Sequence, residues 1–134
     1  MSTGKKIVIC LDGTGNQLGA NNPTNVAKIF QLLDLGDPSR QIAYYDPGVG
    51  TMSSASARGT LGRATSRLCG LALGTGMKAN LAEAYTYLMQ HWRTGDSIYI
   101  FGFSRGAYTA RALAGMLTRP GLMRPGLAVA SGFL

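Results

Sequence analysis

Gly95-Asp96-Ser97-Ile98-Tyr99-Ile100-Phe101-Gly102-Phe103-Ser104-Arg105-Gly106-Ala107 contains a change of hydrophobic period that decides the fold class of this chain. Ser97 to Phe101 is a continuous β-branched and aromatic run opened by the turn pair Gly95-Asp96, which predicts a buried strand. After Gly106 the apolar residues fall at Ala107, Ala110, Leu113, Ala114 and Leu117, and Pro120-Gly121 ends the pattern, which predicts a helix. A serine at such a junction takes a strained backbone, and its neighbours two before and two after must be small because the chain passes close to itself. Gly102 and Gly106 meet that demand, and Ser104 becomes a candidate nucleophile. Its hydroxyl would stand over the helix N-terminus, where the Arg105 N–H could stabilise an oxyanion, so the predicted chemistry is acyl transfer. In a chain with 19 glycines a bare G-x-S-x-G carries little weight, and the strand before and the helix after it supply the weight here.

Outward from this junction the same alternation repeats. Lys6 to Leu11 reads as a first buried strand ending in the turn formers Asp12-Gly13-Thr14-Gly15-Asn16. Thr24 or Asn25 caps a helix with apolar positions Val26, Ile29, Phe30 and Leu33, stopped by Gly36-Asp37-Pro38. Gln41 to Tyr45 reads as a second strand closed by Asp46-Pro47-Gly48, and Asn80 to Trp92 as a helix with Leu81, Ala84, Tyr85, Leu88 and Trp92 on one face. Between them, residues 50–76 are rich in Gly, Ser, Thr and Ala with Arg58, Arg63 and Arg67 interspersed, and are expected to form a mobile loop or lid with at most one short helix. Residues 120–134 are expected to be a poorly packed tail.

Strand and helix in strict alternation imply an α/β fold, a mostly parallel sheet with flanking helices and right-handed crossovers. The C-terminal strand ends then share one edge, which gathers Asp12, Gly13, Thr14, Asp46, Gly48 and Ser104 into one candidate cleft. In that cleft the N–H of Gly13 or Thr14 would complete the oxyanion hole begun by Arg105, and the plainer alternative is an Asx-turn that closes the strand.

Composition narrows the function classes. A chain of 134 residues, 46% hydrophobic and 14% charged, can bury one ordinary core. No apolar run reaches the roughly 20 residues of a membrane helix or suits a signal peptide, so a cytoplasmic location is expected, with export by a route needing no signal left open. Lys and Arg never form a run of five despite a net charge of +7, so no nucleic-acid partner is expected, while attraction to anionic lipid remains open. Cys10 and Cys69 read as two idle thiols, and no metal-ligand spacing or cofactor motif stands out. Asp12-Gly13-Thr14 after a strand resembles a phosphatase signature, but the required nucleophilic aspartate is replaced by Cys10. Gly13-x-Gly15 lacks the directly following helix of a dinucleotide site.

His91 is the only histidine and precedes the strand that carries Ser104. Ser104 lies eight residues after Asp96, roughly 26 Å along an extended strand, so His91 is no general base for it. Arg105 to Leu134 contains no Asp, Glu or His, and the chain holds a nucleophile without its triad partners.

Leu11 to Asn16, Tyr45-Asp46-Pro47-Gly48-Val49-Gly50, and Gly95-Asp96 through Ala107 with Ala110-Arg111 together resemble the α/β-hydrolase domain family of type VI secretion lipase effectors and related uncharacterised bacterial and fungal proteins. The resemblance extends to about Leu122. It implies that Ser104 is the nucleophile of a Ser-Asp-His triad in an esterase of phospholipase type, acting on a lipid or small ester, and that a secretion apparatus or another protein is a partner. It also implies that the acid and histidine lie further on, so that residues 1–134 are the N-terminal portion of one α/β-hydrolase domain. The alternative reading is an inactive remnant that binds anionic lipid or a protein partner through its basic surface.

Overall fold

The structure, a computed structural model, describes residues 4–13, 22–48 and 64–124. Three strands, β1 (Lys6–Asp12), β2 (Gln41–Asp46) and β3 (Ser97–Phe103), alternate with α1 (Asn25–Gln31), α2 (Ala64–His91) and α3 (Arg105–Thr118). The sheet order is β2-β1-β3, and both pairings are parallel. This is the α/β architecture with flanking helices that the alternation predicts.

The continuous apolar run of β1 follows from its central position, since a strand flanked on both edges and covered on both faces has no solvent side. Ile7, Ile9 and Leu11 point to one face, where α2 and α3 bring Ala84, Tyr85, Leu88, Met89 and Leu113 into a single buried cluster. Val8 and Cys10 point to the other face and meet Val26, Ile29 and Phe30 of α1. Of the two predicted caps, Thr24 and Asn25, it is Thr24 that caps α1, its hydroxyl accepting from the Ala27 N–H at 3.1 Å.

Two expectations are corrected. α2 begins at Ala64, so residues 64–76 are helical instead of part of a loop, while residues 49–63 lie outside the described residues. Gly70, Gly74 and Gly76 mask the helix in the sequence, although Leu68, Leu71, Ala72 and Met77 around them are good helix formers. The segment after α3 is not loose throughout either. The Gly121 carbonyl accepts from the Tyr85 hydroxyl at 2.9 Å, the Met123 N–H donates to the same hydroxyl at 3.0 Å, and Leu122 and Met123 pack on the core. Residues 125–134 lie outside the described residues.

The open ends of β1 and β3 are tied by Asp96. Its carboxylate, 6% exposed, accepts from the Lys5 ammonium, from the Lys5 N–H at 2.9 Å and from the Arg93 N–H at 2.9 Å. Burial alone raises the pKa of this carboxyl, but the bonds from Lys5 and Arg93 outweigh it and hold the group below its ordinary value of 3.8. A carboxyl with a depressed folded-state pKa stabilises fully above its unfolded value, and the gain is lost as pH falls through the folded value. Urea midpoints at pH 7 and pH 3 should therefore drop more on acidification for the parent than for Asp96→Asn. Asp46, whose pKa moves the other way, is common to both chains and cancels in the comparison.

Candidate functional site

Ser104 sits between the last residue of β3 and the first of α3 with φ 55° and ψ −125°, the one non-glycine residue among those described with positive φ. Its side chain is exposed. Although it stands at the N-cap of α3, its hydroxyl makes no capping bond. A serine elsewhere would turn that oxygen back onto the helix N–H groups, and the backbone here aims it away.

Glycines on both sides make the turn sterically feasible. A Cβ on Gly102 would lie 2.6 Å from the Gly106 carbonyl oxygen and 2.8 Å from the Ala107 Cα. One on Gly106 would lie 2.0 Å from the Leu11 carbonyl oxygen, so the first turn of α3 rests directly on the backbone of β1. One on Gly13 would lie 2.4 Å from the nitrogens of both Arg105 and Gly106. The chain leaving β1 thus crosses within contact distance of the α3 N-terminus, where first-turn N–H groups have no acceptor within the helix.

The Arg105 side chain adds a tie that the sequence did not suggest, its Nε donating to the Gly13 carbonyl at 2.7 Å. The Gly13 N–H donates to the Phe103 carbonyl at 3.1 Å, extending the β1–β3 ladder by one step. That bond occupies the donor of Gly13. Thr14, the other oxyanion candidate, lies outside the described residues.

Asp12, Gly13, Asp46 and Gly48 do converge at the C-terminal strand ends, where with Met77, Asn80, Arg105, Gly106 and Thr109 they line a cavity of about 10 Å³, room for one water molecule. Ser104 is not part of that lining. Asp12 is only 1% exposed, and its carboxylate accepts from the Thr24 hydroxyl and from the Tyr45 hydroxyl at 3.2 Å. The expected cleft residue is a buried brace that joins the α1 cap to β2 beneath the turn. Burial, then the neighbouring Asp12 charge and hydrogen bond, push the Tyr45 phenol up to about 12, so it stays a donor at neutral pH.

Asp46 is half-buried and accepts from the Gly48 N–H at 2.8 Å. Burial raises its pKa, with the Glu83 and Asp12 charges adding and the Gly48 and Asn80 bonds opposing. Gly48 has φ 86°, and a Cβ there would meet the Asp12 carbonyl oxygen at 2.2 Å, so the end of β2 is pressed against the end of β1. Cys10 is free and buried, its thiol pushed up to about 11 by burial, which leaves it unreactive. His91 closes α2, its Nδ1 2.8 Å from the Tyr87 carbonyl and its ring stacked on Tyr87, at the end of β3 opposite Ser104.

A family model described as the type VI secretion system phospholipase effector Tle1-like catalytic domain matches residues 5–132. The chain belongs to this family. Uncharacterized protein YEL023C of Saccharomyces cerevisiae is similar to the Tle1-like chain, 41% identical over 130 residues, which covers 94% of this chain and 19% of the yeast protein. The Tle1-like chain therefore spans about a fifth of the length of the curated relative it matches. No solved structure matches it significantly. Among the described residues no helix of this Tle1-like domain is long and apolar enough to cross a membrane.

Proposed function

We propose that this chain is the nucleophile-bearing part of a serine hydrolase that cleaves a carboxylic ester of a lipid, with Ser104 attacking the ester carbonyl. The observation that carries the reading is the backbone of Ser104, φ 55° and ψ −125°, at an exposed strand-to-helix turn walled by Gly102 and Gly106. Strain of this kind costs about 1–3 kcal/mol and persists where it serves a site. The family supports the substrate class, being one of phospholipase effectors.

In the proposed reaction the Ser104 oxygen adds to the ester carbonyl as its proton passes to a histidine, and the carbonyl oxygen becomes an oxyanion. The Arg105 N–H, at the positive end of α3, and the Thr14 N–H hold that charge. The Arg105 side chain keeps the loop that leads to Thr14 against the helix through its bond to the Gly13 carbonyl. Collapse of the adduct expels the alcohol with the proton from histidine and leaves an acyl-serine that water hydrolyses. Residues 105–134 carry neither a histidine nor an acid, and His91 stands at the far end of β3.

Fluorophosphonate labelling tests this. In the full-length protein Ser104 should be labelled and Ser104→Ala should not, and a folded, complete protein that stays unlabelled ends the reading. The 134-residue chain alone should label at least about 100-fold more slowly, because no general base reaches the hydroxyl. The net charge of +7 favours a second reading, a non-catalytic module that binds anionic lipid or a protein partner. Binding to phosphatidylserine vesicles that weakens with salt, with no turnover in the complete protein, would select it.

A further inference from the structure

On the far side of the sheet from Ser104, β2 and α2 enclose an aromatic groove. β2 is separated from β3 by β1, and Tyr44 of β2 meets Ala82, Glu83, Thr86, Tyr87 and Gln90 of α2 around an open cavity of about 440 Å³. The α2 residues recur at i, i+1, i+4, i+5 and i+8, so they share one side of the helix, beside the face that buries Ala84, Tyr85 and Leu88. A volume of this size suits a small ligand. Both tyrosines are half-buried and their hydroxyls are engaged, Tyr44 donating to Glu83 Oε2 at 3.2 Å and Tyr87 to the Ala43 carbonyl at 3.2 Å. Their ring centroids are 5.2 Å apart at 39°, and the Tyr87 ring also stacks on His91 at 4.1 Å. The two residues therefore offer the groove fixed ring surface.

The charge at the groove is negative. Glu83 is exposed, and among the described residues the Tyr44 hydroxyl is its one partner, with no Lys or Arg paired to it. None of the lining residues is basic. Burial above all, and then the Glu83 charge, raises the pKa of Asp46, so a second carboxyl lies within the same field. In a chain with 13 Lys and Arg against 6 Asp and Glu, a carboxylate without a cation beside two aromatic rings calls for a cation from outside. The hydrogen-bond inventory selects its kind. A Lys ammonium brings three N–H donors and an Arg guanidinium five, and the groove sets only Thr86 and Gln90 beside Glu83 to accept them. A quaternary ammonium carries its charge without any donor, so ring surface covers it and leaves nothing unsatisfied.

We propose that this groove is a binding site for a quaternary ammonium group, its methyl groups against Tyr44 and Tyr87 and its charge answered by Glu83. A free solute of the choline kind and a lipid headgroup of the same chemistry share the features that the groove recognises. Ser104 is not among the lining residues, and the inference is independent of what that serine does.

Amide NMR of the 134-residue chain titrated with choline chloride tests it, with sodium chloride at matched concentration and dimethylbutanol, the uncharged isostere, as controls. Choline should half-saturate at about 10 mM or below, shifting the amides of Tyr44, Glu83 and Tyr87 and leaving those of Ser104 and Arg105 in place. Dimethylbutanol should bind at least about 10-fold more weakly. Glu83→Gln, a change at an exposed side chain that should keep the melting temperature, should weaken choline binding about 10-fold. Tyr44→Phe keeps the ring and frees the carboxylate, and should stay within about 3-fold of the parent. Shifts that do not saturate, an isostere that binds as well as choline, or a folded Glu83→Gln that binds as well as the parent would each overturn the proposal. Phosphatidylcholine vesicles that displace choline would make the ligand a lipid headgroup, and vesicles that leave choline bound would make it the free cation.

Discussion

Gly106→Ala is expected to leave the chain without a stable fold. The new Cβ would stand 2.0 Å from the Leu11 carbonyl oxygen and 2.5 Å from its carbon, both backbone atoms of the central strand. Side chains can rotate away from an intruding methyl, but β1 is hydrogen-bonded on both edges and packed on both faces, so α3 would have to move instead. Moving α3 withdraws Leu113 from the core and parts Gly106 and Arg105 from Gly13. Ordinary overpacking costs about 1–3 kcal/mol, and a clash with fixed backbone exceeds that, against a total stability of about 5–15 kcal/mol for a domain. Gly115→Ala in the same helix is the matched control. A Cβ at Gly115 meets nothing within 4 Å, and replacing a helix-interior glycine should add about 0.5–1 kcal/mol. Thermal melts followed by circular dichroism should show one transition lost and the other raised by a few degrees. Two variants that shift equally would mean that α3 does not rest on β1.

The contrast between these two glycines also marks how much of the molecule was legible in its sequence. Gly102 and Gly106 could be read as contact glycines because their need is local, set by the spacing around Ser104, and the structure places backbone against both. The three strands and the α1 cap at Thr24 were legible for the same reason, each being fixed by a short apolar run and its flanking turn residues. β3 extends two residues past the predicted end, because Gly102 and Phe103 stay in register with Leu11 and Asp12. What depends on register was not legible. Asp12 looks like a cleft residue from its position after β1, and only the alignment of Cys10 with Tyr45 shows that a tyrosine hydroxyl and the Thr24 hydroxyl reach its carboxylate. The occupied donor of Gly13 likewise follows from the pairing of Asp12 with Phe103. The N-terminal half of α2 was missed because three glycines in a short span lower its helix propensity and speak for a loop.

Ser104→Gly is expected to stabilise the 134-residue chain while removing its reaction with a fluorophosphonate, and Ser104→Ala to remove the reaction without the gain. At φ 55° and ψ −125° an L-residue is strained by about 1–3 kcal/mol, whereas glycine occupies that region freely. Against this, glycine raises the entropy of the unfolded chain by about 0.5–1 kcal/mol, so the net gain should be about 1 kcal/mol. Alanine keeps the Cβ and hence the strain, and the exposed hydroxyl that it lacks makes no capping bond, so Ser104→Ala should lie within about 0.5 kcal/mol of the parent. In the full-length protein both variants should lose ester turnover by about 10³-fold or more, since neither can form the acyl intermediate. Urea midpoints and probe labelling on the same preparations then report two different things. A Ser104→Gly variant that is less stable than the parent would mean that the backbone at residue 104 is not strained in solution. A stabilised Ser104→Gly beside a Ser104→Ala that keeps full turnover would leave the strained turn standing and move the chemistry elsewhere. The two losses together, with only glycine gaining stability, would mean that the chain accepts a strained serine at the tip of β3 because a hydroxyl is needed there.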